Sequence, residues 1–348
     1  MNVLIDIAHP AHVHFYRHLR SQLLQLGADV LVTARDKDVT LELLRTFEIP
    51  HLVFGRAGHR TWTGQFIELV TRDAFLVWRG RRFQPDVVLT RNPTGVHAAR
   101  ALRAIGVFDT DDGRSAGVHF RSAAAFAHVI TAPDCLPESF GSKERRYASY
   151  KSLAYLHPSV FTPRQDIRAE LGLGANDKFS VLRLVAHDAS HDSKARGIDD
   201  RARRRIVARL KLHGPVFVSG ERDVPADLGG EELRIQPELM HDVLAAASMV
   251  VGDSQTIASE AGILATPSIR VNSWVDSSPH ITEMERRYGL VFSYGPDQVD
   301  QVIERIDRLL VDPRTPETWR RRRDRMLQDK IDLTAWYKQL VLDLTAFR

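Results

Sequence analysis

The chain has 348 residues, one cysteine (Cys135), 43% hydrophobic and 26% charged residues, and a formal net charge of +4. That length suggests two domains; a single cysteine excludes a disulfide framework or a cysteine-rich zinc site, and 48 basic against 44 acidic residues do not mark a general nucleic-acid binder. The start, MNVLIDIAHP, lacks the basic and long apolar regions of a signal peptide, and no run of about 18 apolar residues occurs, so the expected compartment is reducing cytosol.

In chain order, NVLIDIA, ADVLVTA, DVVLT, GVFDT and HVITA read as strands of an N-terminal half. They are apolar on both faces, as parallel strands between helices are. After the first comes HPAHVHF, with His9, His12 and His14. These histidines can cap a helix, contact a substrate or catalyse; no second cluster with metal spacing accompanies them, so no metal is expected. DVVLT leads into RNPTGVHAARALRAIG, a helix that Asn92 can cap, with Pro93 in its first turn. GVFDT runs into DTDDG, with Asp109, Asp111 and Asp112, which are either solvated turn carboxylates or include a general base. The stretch YASYKSLAYLHPSVFTP, Tyr147 to Pro163, breaks the alternation and is the expected linker.

The second half repeats the scheme. FSVLRLVA, PVFVSG, SMVVGD and SIRVN read as strands; RARRRIVARLKLH, MHDVLAAA and TIASEAGIL read as helices. Strand–helix alternation in both halves predicts an α/β chain of two doubly wound, Rossmann-like domains, with ligands at the carboxyl ends of the strands. The expected boundaries are 1–155 and 164–327, with a final helix at 328–348 folding back on the first domain. FSVLRLVA ends in AHDASHD, where His187 either lies in a plain loop or touches phosphate; His191 lies in the same loop. GDSQTIASEAG places Asp253, Ser254, Gln255 and Thr256 between a strand end and a helix start. Backbone N–H groups there can seat a diphosphate, and Glu260, one turn on, can accept a ribose diol. The alternative is that Asp253 and Ser254 merely cap the helix and Glu260 is a surface residue. No G-x-G-x-x-G follows the first strand and no P-loop occurs, which argues against a dinucleotide oxidoreductase and a P-loop NTPase.

SMVVGDSQTIASEAGILATPSI resembles the donor-site stretch D-S-G-G-x-x-E-E-A of non-hydrolysing UDP-N-acetylglucosamine 2-epimerases of the GT-B superfamily: Asp253, Ser254, Glu260 and Ala261 keep the spacing, while Gln255 and Thr256 replace the glycines. HPAHVHF is similar to the G-G-H-V-F loop of the lipid II-forming N-acetylglucosaminyltransferase, with His12 on the motif histidine. NVLIDIAHPAHVHFYRHL, VFDTDD and YKSLAYLHPSVFTP together resemble a prokaryotic GT-B-like family of unknown function, often assigned to polysaccharide biosynthesis. The resemblance implies a GT-B fold with an interdomain cleft. It implies a nucleotide-sugar donor, UDP-linked, on the C-terminal domain, with His187, Ser219, Asp253, Ser254, Gln255, Thr256 and Glu260 as donor-side residues. An acceptor would lie on the N-terminal domain, near His9, His14, Asn92, Thr94 and Lys151. No metal or other cofactor is implied.

Two reactions fit. Glycosyl transfer needs a base for the acceptor hydroxyl and positive charge for the leaving diphosphate; His12 or Asp111 can be the base, and Asp111 can instead orient the imidazole. Epimerisation at C2 needs several carboxylates around the sugar, and TRNPT offers Asn92 where the epimerases carry an acid. Transfer, with an inverting outcome, is therefore the expectation, ahead of epimerase chemistry and of nucleotide-sugar binding without catalysis. TWTGQFIELVTRDAFLVWRGRRF sets Trp62, Phe66, Phe75, Leu76 and Trp78 beside Arg79, Arg81 and Arg82. This is a core-packing helix with a solvated face, or one that lies on the inner membrane surface near a lipid-linked acceptor. WRRRRDRM, from Trp319, reads as a solvated face. The sequence carries no sign of oligomeric state.

Overall fold

All the strands run parallel to their neighbours, in two sheets. A computed structural model of the chain describes residues 1–56, 62–185, 197–220, 228–273 and 278–346. The chain divides into two units, Met1–Val160 with Lys330–Arg348, and Phe161–Asp329.

The first unit holds β1 (Asn2–Ile7), β2 (Asp29–Asp36), β3 (Leu52–Arg56), β4 (Val87–Thr90), β5 (Ile105–Asp109), β6 (Val129–Pro133) and β7 (Glu144–Tyr147), in the order 3-2-1-4-5-6-7. The second holds β8 (Ser180–Leu184), β9 (Val216–Gly220), β10 (Glu231–Glu232), β11 (Met249–Gly252), β12 (Ser268–Val271) and β13 (Val291–Tyr294), in the order 10-9-8-11-12-13. Each order reverses direction beside its own first strand, β1 or β8, which is the doubly wound pattern. The sequence reading supplied nine of these strands and missed β3, β7, β10 and β13. All four missed strands are sheet edges. An edge strand is covered less completely, so it can be short or charged, as in ERRY and EE.

The central strands are apolar because helices cover both faces. Val3, Leu4, Ile5 and Ile7 of β1 are buried, and Leu4 packs with Val88, Ala99 and Ala104. In the second unit Ile167, Phe179, Val181, Phe217, Val243, Leu244, Val250 and Ala261 form one cluster. Each such large side chain contributes about 1.5–3 kcal/mol on burial.

The expected linker is mostly interior to the first unit. Tyr147 ends β7, and Ser149, Tyr150, Ser152 and Leu153–Leu156 are buried. The helix Leu333–Thr345 covers this stretch and the helix Pro10–Gln25. Thr334 Oγ1 donates to Ala154 O (2.7 Å), and Tyr337 meets Phe15 edge-on. Among the described residues, no helix is long and apolar enough to cross a membrane.

Candidate functional site

Neighbouring strands β1, β4 and β5 bring their carboxyl ends together in the middle of the first sheet. Asp6 of β1 is fully buried. Its Oδ1 receives Arg72 Nη2 (2.6 Å) and Thr33 Oγ1 (3.1 Å), and its Oδ2 receives Thr90 Oγ1 (3.4 Å) and Thr94 Oγ1 (3.3 Å). Thr94, expected on the acceptor side, thus has its hydroxyl on Asp6 and is buried. Gly95 permits the close approach of the helix Pro93–Leu102, since a Cβ there would lie 2.5 Å from Thr90 Cβ. Asn92 occupies the N-cap position of that helix, but its side chain makes no capping bond; its backbone N–H goes to Thr90 Oγ1 (2.9 Å). Its Nδ2 is buried without a hydrogen-bond partner among the described residues. An unpaired buried donor at a strand's carboxyl end is a natural place for a substrate oxygen to bind.

Beside it lies a second network. Arg91 reaches Asp109 Oδ2 through Nη1 and Asp111 Oδ1 through Nη2, and lies over the Phe15 ring. Burial opposes its charge, but Asp111, Tyr147, Tyr16 and Tyr337 together outweigh that, so its pKa is raised. Asp109 Oδ1 accepts from Tyr147 Oη (3.0 Å), Tyr337 Oη (2.6 Å) and Thr131 Oγ1 (3.1 Å). Burial pushes both phenols well above their ordinary pKa, so they remain neutral donors. Asp111 Oδ2 meets Lys151 Nζ at 2.8 Å.

His12 completes this group from the first turn of the helix Pro10–Gln25. Burial, then Arg91, His9 and Lys151, hold its pKa well below the usual imidazole value, against a smaller opposing pull from Asp111. The ring is therefore neutral near pH 7, the state a base requires. Its Nδ1 accepts from Ala8 N–H at 3.4 Å, so in this arrangement Nδ1 does not donate to Asp111. At that length the bond is weak, and the tautomer with a lone pair on Nε2 costs little. His9 caps the helix by accepting from Ala11 N–H (3.2 Å), and its ring lies 6.0 Å from that of His12. His14 sits apart from the other two. Two residues turn about 200° around a helix, and His14 is packed between Phe47 and Tyr155. Packing therefore takes it out of the group expected at the acceptor side.

In the second unit, β11 ends at Gly252, where a Cβ would fall 2.3 Å from Arg183 O. Ser254 is the N-cap of the helix Gln255–Ile263, its Oγ accepting from Ile257 N–H (3.3 Å). The earliest N–H groups of that helix have no partner within it, and Gln255 and Thr256, partly exposed, stand around them. Asp253 does not cap. Its Oδ1 accepts from Val185 N–H (2.8 Å) and its carbonyl from Asn272 Nδ2 (2.9 Å), which ties strand ends together. Glu260 is buried, not on the surface, with Oε1 3.4 Å from His241 Nε2. Ser219 Oγ accepts from Arg183 Nη1 (2.7 Å). The register across the sheet runs Ser219, Arg183, Gly252, Arg270 and Ser293, which sets two arginines on either side of Gly252. His187 and His191 lie outside the described residues.

Over its full length the chain is similar to the UDP-GlcNAc 2-epimerase from Neisseria meningitidis solved with UDP-GlcNAc, at 12% identity and a TM-score of 0.67, covering 100% of both chains. A putative UDP-N-acetylglucosamine 2-epimerase from Listeria monocytogenes gives 10% identity and 0.71, covering 100% of this chain and 96% of that one. The chain has the GT-B fold. The glycosyltransferase VinC, solved with dTDP, shares that fold at 14% identity and 0.64, covering 99% of each chain. No protein-family model matches the sequence, and neither does any curated protein.

Within this GT-B chain the sequence reading missed Asp6, Arg72, Arg91, Tyr147, Arg183, His241, Arg270 and Tyr337. One signal was visible: Asp6 is the only charged residue in NVLIDIA, and an acid inside a two-sided apolar strand needs a buried partner. The rest are ordinary residue types whose partners lie far away in sequence.

Proposed function

We propose that the chain is a metal-independent glycosyltransferase that takes a nucleotide-sugar donor and serves the assembly of a cell-surface polysaccharide or glycolipid. The observation that carries this is the group His12, Arg91, Asp111 and Lys151 at the carboxyl edge of the first sheet. It offers one neutral imidazole and one carboxylate held between two cations. Transfer needs one base for the acceptor hydroxyl, and His12 is the imidazole at this edge; burial keeps it unprotonated while lowering its basicity. Lys151 and Arg91 both pair with Asp111, and Asn92 Nδ2 is placed to hold an acceptor oxygen.

The donor would sit on the second unit, with its diphosphate on the N-terminus of the helix Gln255–Ile263 and its ribose hydroxyls on Glu260. Side-chain amide and hydroxyl at Gln255 and Thr256 replace glycines of the resembled motif, so the phosphates would lie against side chains as well as backbone. The dipole and the N–H groups supply the charge complement that a cation supplies elsewhere, so EDTA should leave turnover unchanged.

Epimerisation at C2 is the second reading, favoured by the similarity in fold to UDP-GlcNAc 2-epimerases. One experiment separates the two: incubation with UDP-sugars, with and without candidate lipid-linked acceptors, followed by chromatography. Release of free nucleotide coupled to an extended acceptor supports transfer. A new epimer without free nucleotide refutes it.

A further inference from the structure

The helix Trp62–Phe83 turns large apolar side chains outward. Its Arg72 and Leu76 are buried, Arg72 on Asp6 at 2.6 Å. Phe75 stacks on Phe54 with ring centroids 4.6 Å apart. By contrast Phe66 is 55%, Ile67 62%, Val70 49% and Trp78 56% exposed. At about 100° per residue these four, with exposed Ala74, fall in a stripe about 120° wide. Among the described residues no other element carries more than two large exposed apolar side chains.

Arginines cluster at the C-terminal end of this stripe. Arg81 and Arg82 are exposed in the last turn, and the Arg79 guanidinium lies 4.2 Å from the Trp78 ring centroid. Both acids of the helix have partners elsewhere in the unit, Glu68 on Arg35 (2.5 Å) and Asp73 on His97 (2.8 Å). An apolar stripe with an indole at one end and arginines around it matches a bilayer boundary. The apolar side chains enter between the headgroups, the indole stays at headgroup level, and the guanidinium groups meet anionic phosphate.

We propose that this stripe docks the first unit onto the surface of an anionic lipid bilayer. The docking does not depend on the transferase reading, because no residue of the stripe belongs to the strand-end group. Through Arg72 the same helix is anchored to the carboxyl end of β1, so a docked helix would hold that edge at a fixed place relative to the membrane.

The test is co-sedimentation of the full chain with vesicles of neutral phosphatidylcholine, and with vesicles containing about one-third phosphatidylglycerol. Binding to the anionic vesicles is expected, weakening as salt approaches about 1 M, where screening acts over about 3 Å. Ile67→Ser with Trp78→Ser should lower the partition more than about tenfold, since two exposed apolar side chains are removed. Arg81→Gln and Arg82→Gln should each lower it by about fivefold. Melting temperatures are read alongside; those of the two arginine variants should match the parent, while Trp78 also meets Phe75, with ring centroids 6.5 Å apart. No binding to anionic vesicles, equal binding to neutral ones, or binding unchanged in the Ile67→Ser/Trp78→Ser variant would each overturn the proposal. So would a parent dimer that this double variant dissociates, since the stripe would then be covered by a second copy.

Discussion

The carboxyl edges of the two sheets are built from different material. In the first unit the edge is made of charged side chains in networks: Asp6 with Arg72, then Asp109 and Asp111 sharing Arg91, with Lys151 behind. In the second unit the helix start at the strand end is made of backbone and small polar side chains around Ser254. Arg183 and Arg270 lie in the sheet on either side of Gly252. The difference follows from what each edge would have to do. Moving a proton needs groups whose charge state can be tuned by neighbours. Holding a diphosphate needs donors fixed in direction, which a helix N-terminus provides without side-chain entropy.

Removing Arg91 breaks this contrast most severely. Arg91→Ala leaves two buried carboxylates facing each other, and breaking a buried pair costs roughly 3–5 kcal/mol. Urea denaturation should show that loss, with turnover abolished; a stability within about 1 kcal/mol of the parent would mean the network holds nothing together. Next in size is His12→Ala, expected to lower turnover about 10²-fold, the usual cost of losing a general base. Donor affinity by calorimetry should stay near the parent value. Loss of donor binding instead would make His12 a phosphate contact and erase the division between the edges.

Glu260→Ala is the complementary change. Donor affinity should fall more than about tenfold, in line with about 1.5–3 kcal/mol for a hydrogen bond to a charged group, while turnover at saturating donor is kept. Affinity equal to the parent would take Glu260 out of the donor site. The smallest effect concerns pH. The imidazole of His12 titrates lower in the folded chain than its ordinary value of about 6.5. Between those two values the unfolded chain binds more protons, so stability rises with pH. The contribution is complete above about pH 6.5 and is lost as pH falls through the folded value. His12→Gln should therefore lose less melting temperature than the parent between about pH 7 and pH 5. Parallel melting curves would show that His12 is not the group responsible.

The sequence made the fold legible wherever a strand is covered on both faces. NVLIDIA, DVVLT and SMVVGD needed no partner information, because full burial writes itself as an unbroken apolar run. ERRY and EE could not be read that way, since their strand character comes from the neighbouring strand. The candidate site was legible at the strand ends, where His9, His12, Asp111 and Lys151 do converge. It was illegible where one residue type serves two purposes. Thr94 and Ser219 were read as ligand contacts from their place at strand ends, while the structure also gives each a protein partner, Asp6 and Arg183. Arg91 lay inside the quoted TRNPT, but its importance depends on Asp109 and Asp111, 18 and 20 positions away.

Tyr337 carries one further consequence. Its hydroxyl reaches Asp109 in the heart of the first unit from the helix Leu333–Thr345. On the ribosome, all of Phe161–Asp329 is synthesised before that hydroxyl exists. At about 5–20 residues per second this is a delay on the order of ten seconds or more. During that interval Asp109 lacks one of its donors and the helix Pro10–Gln25 lacks its cover. The order of synthesis therefore makes the unit that begins first the one completed last.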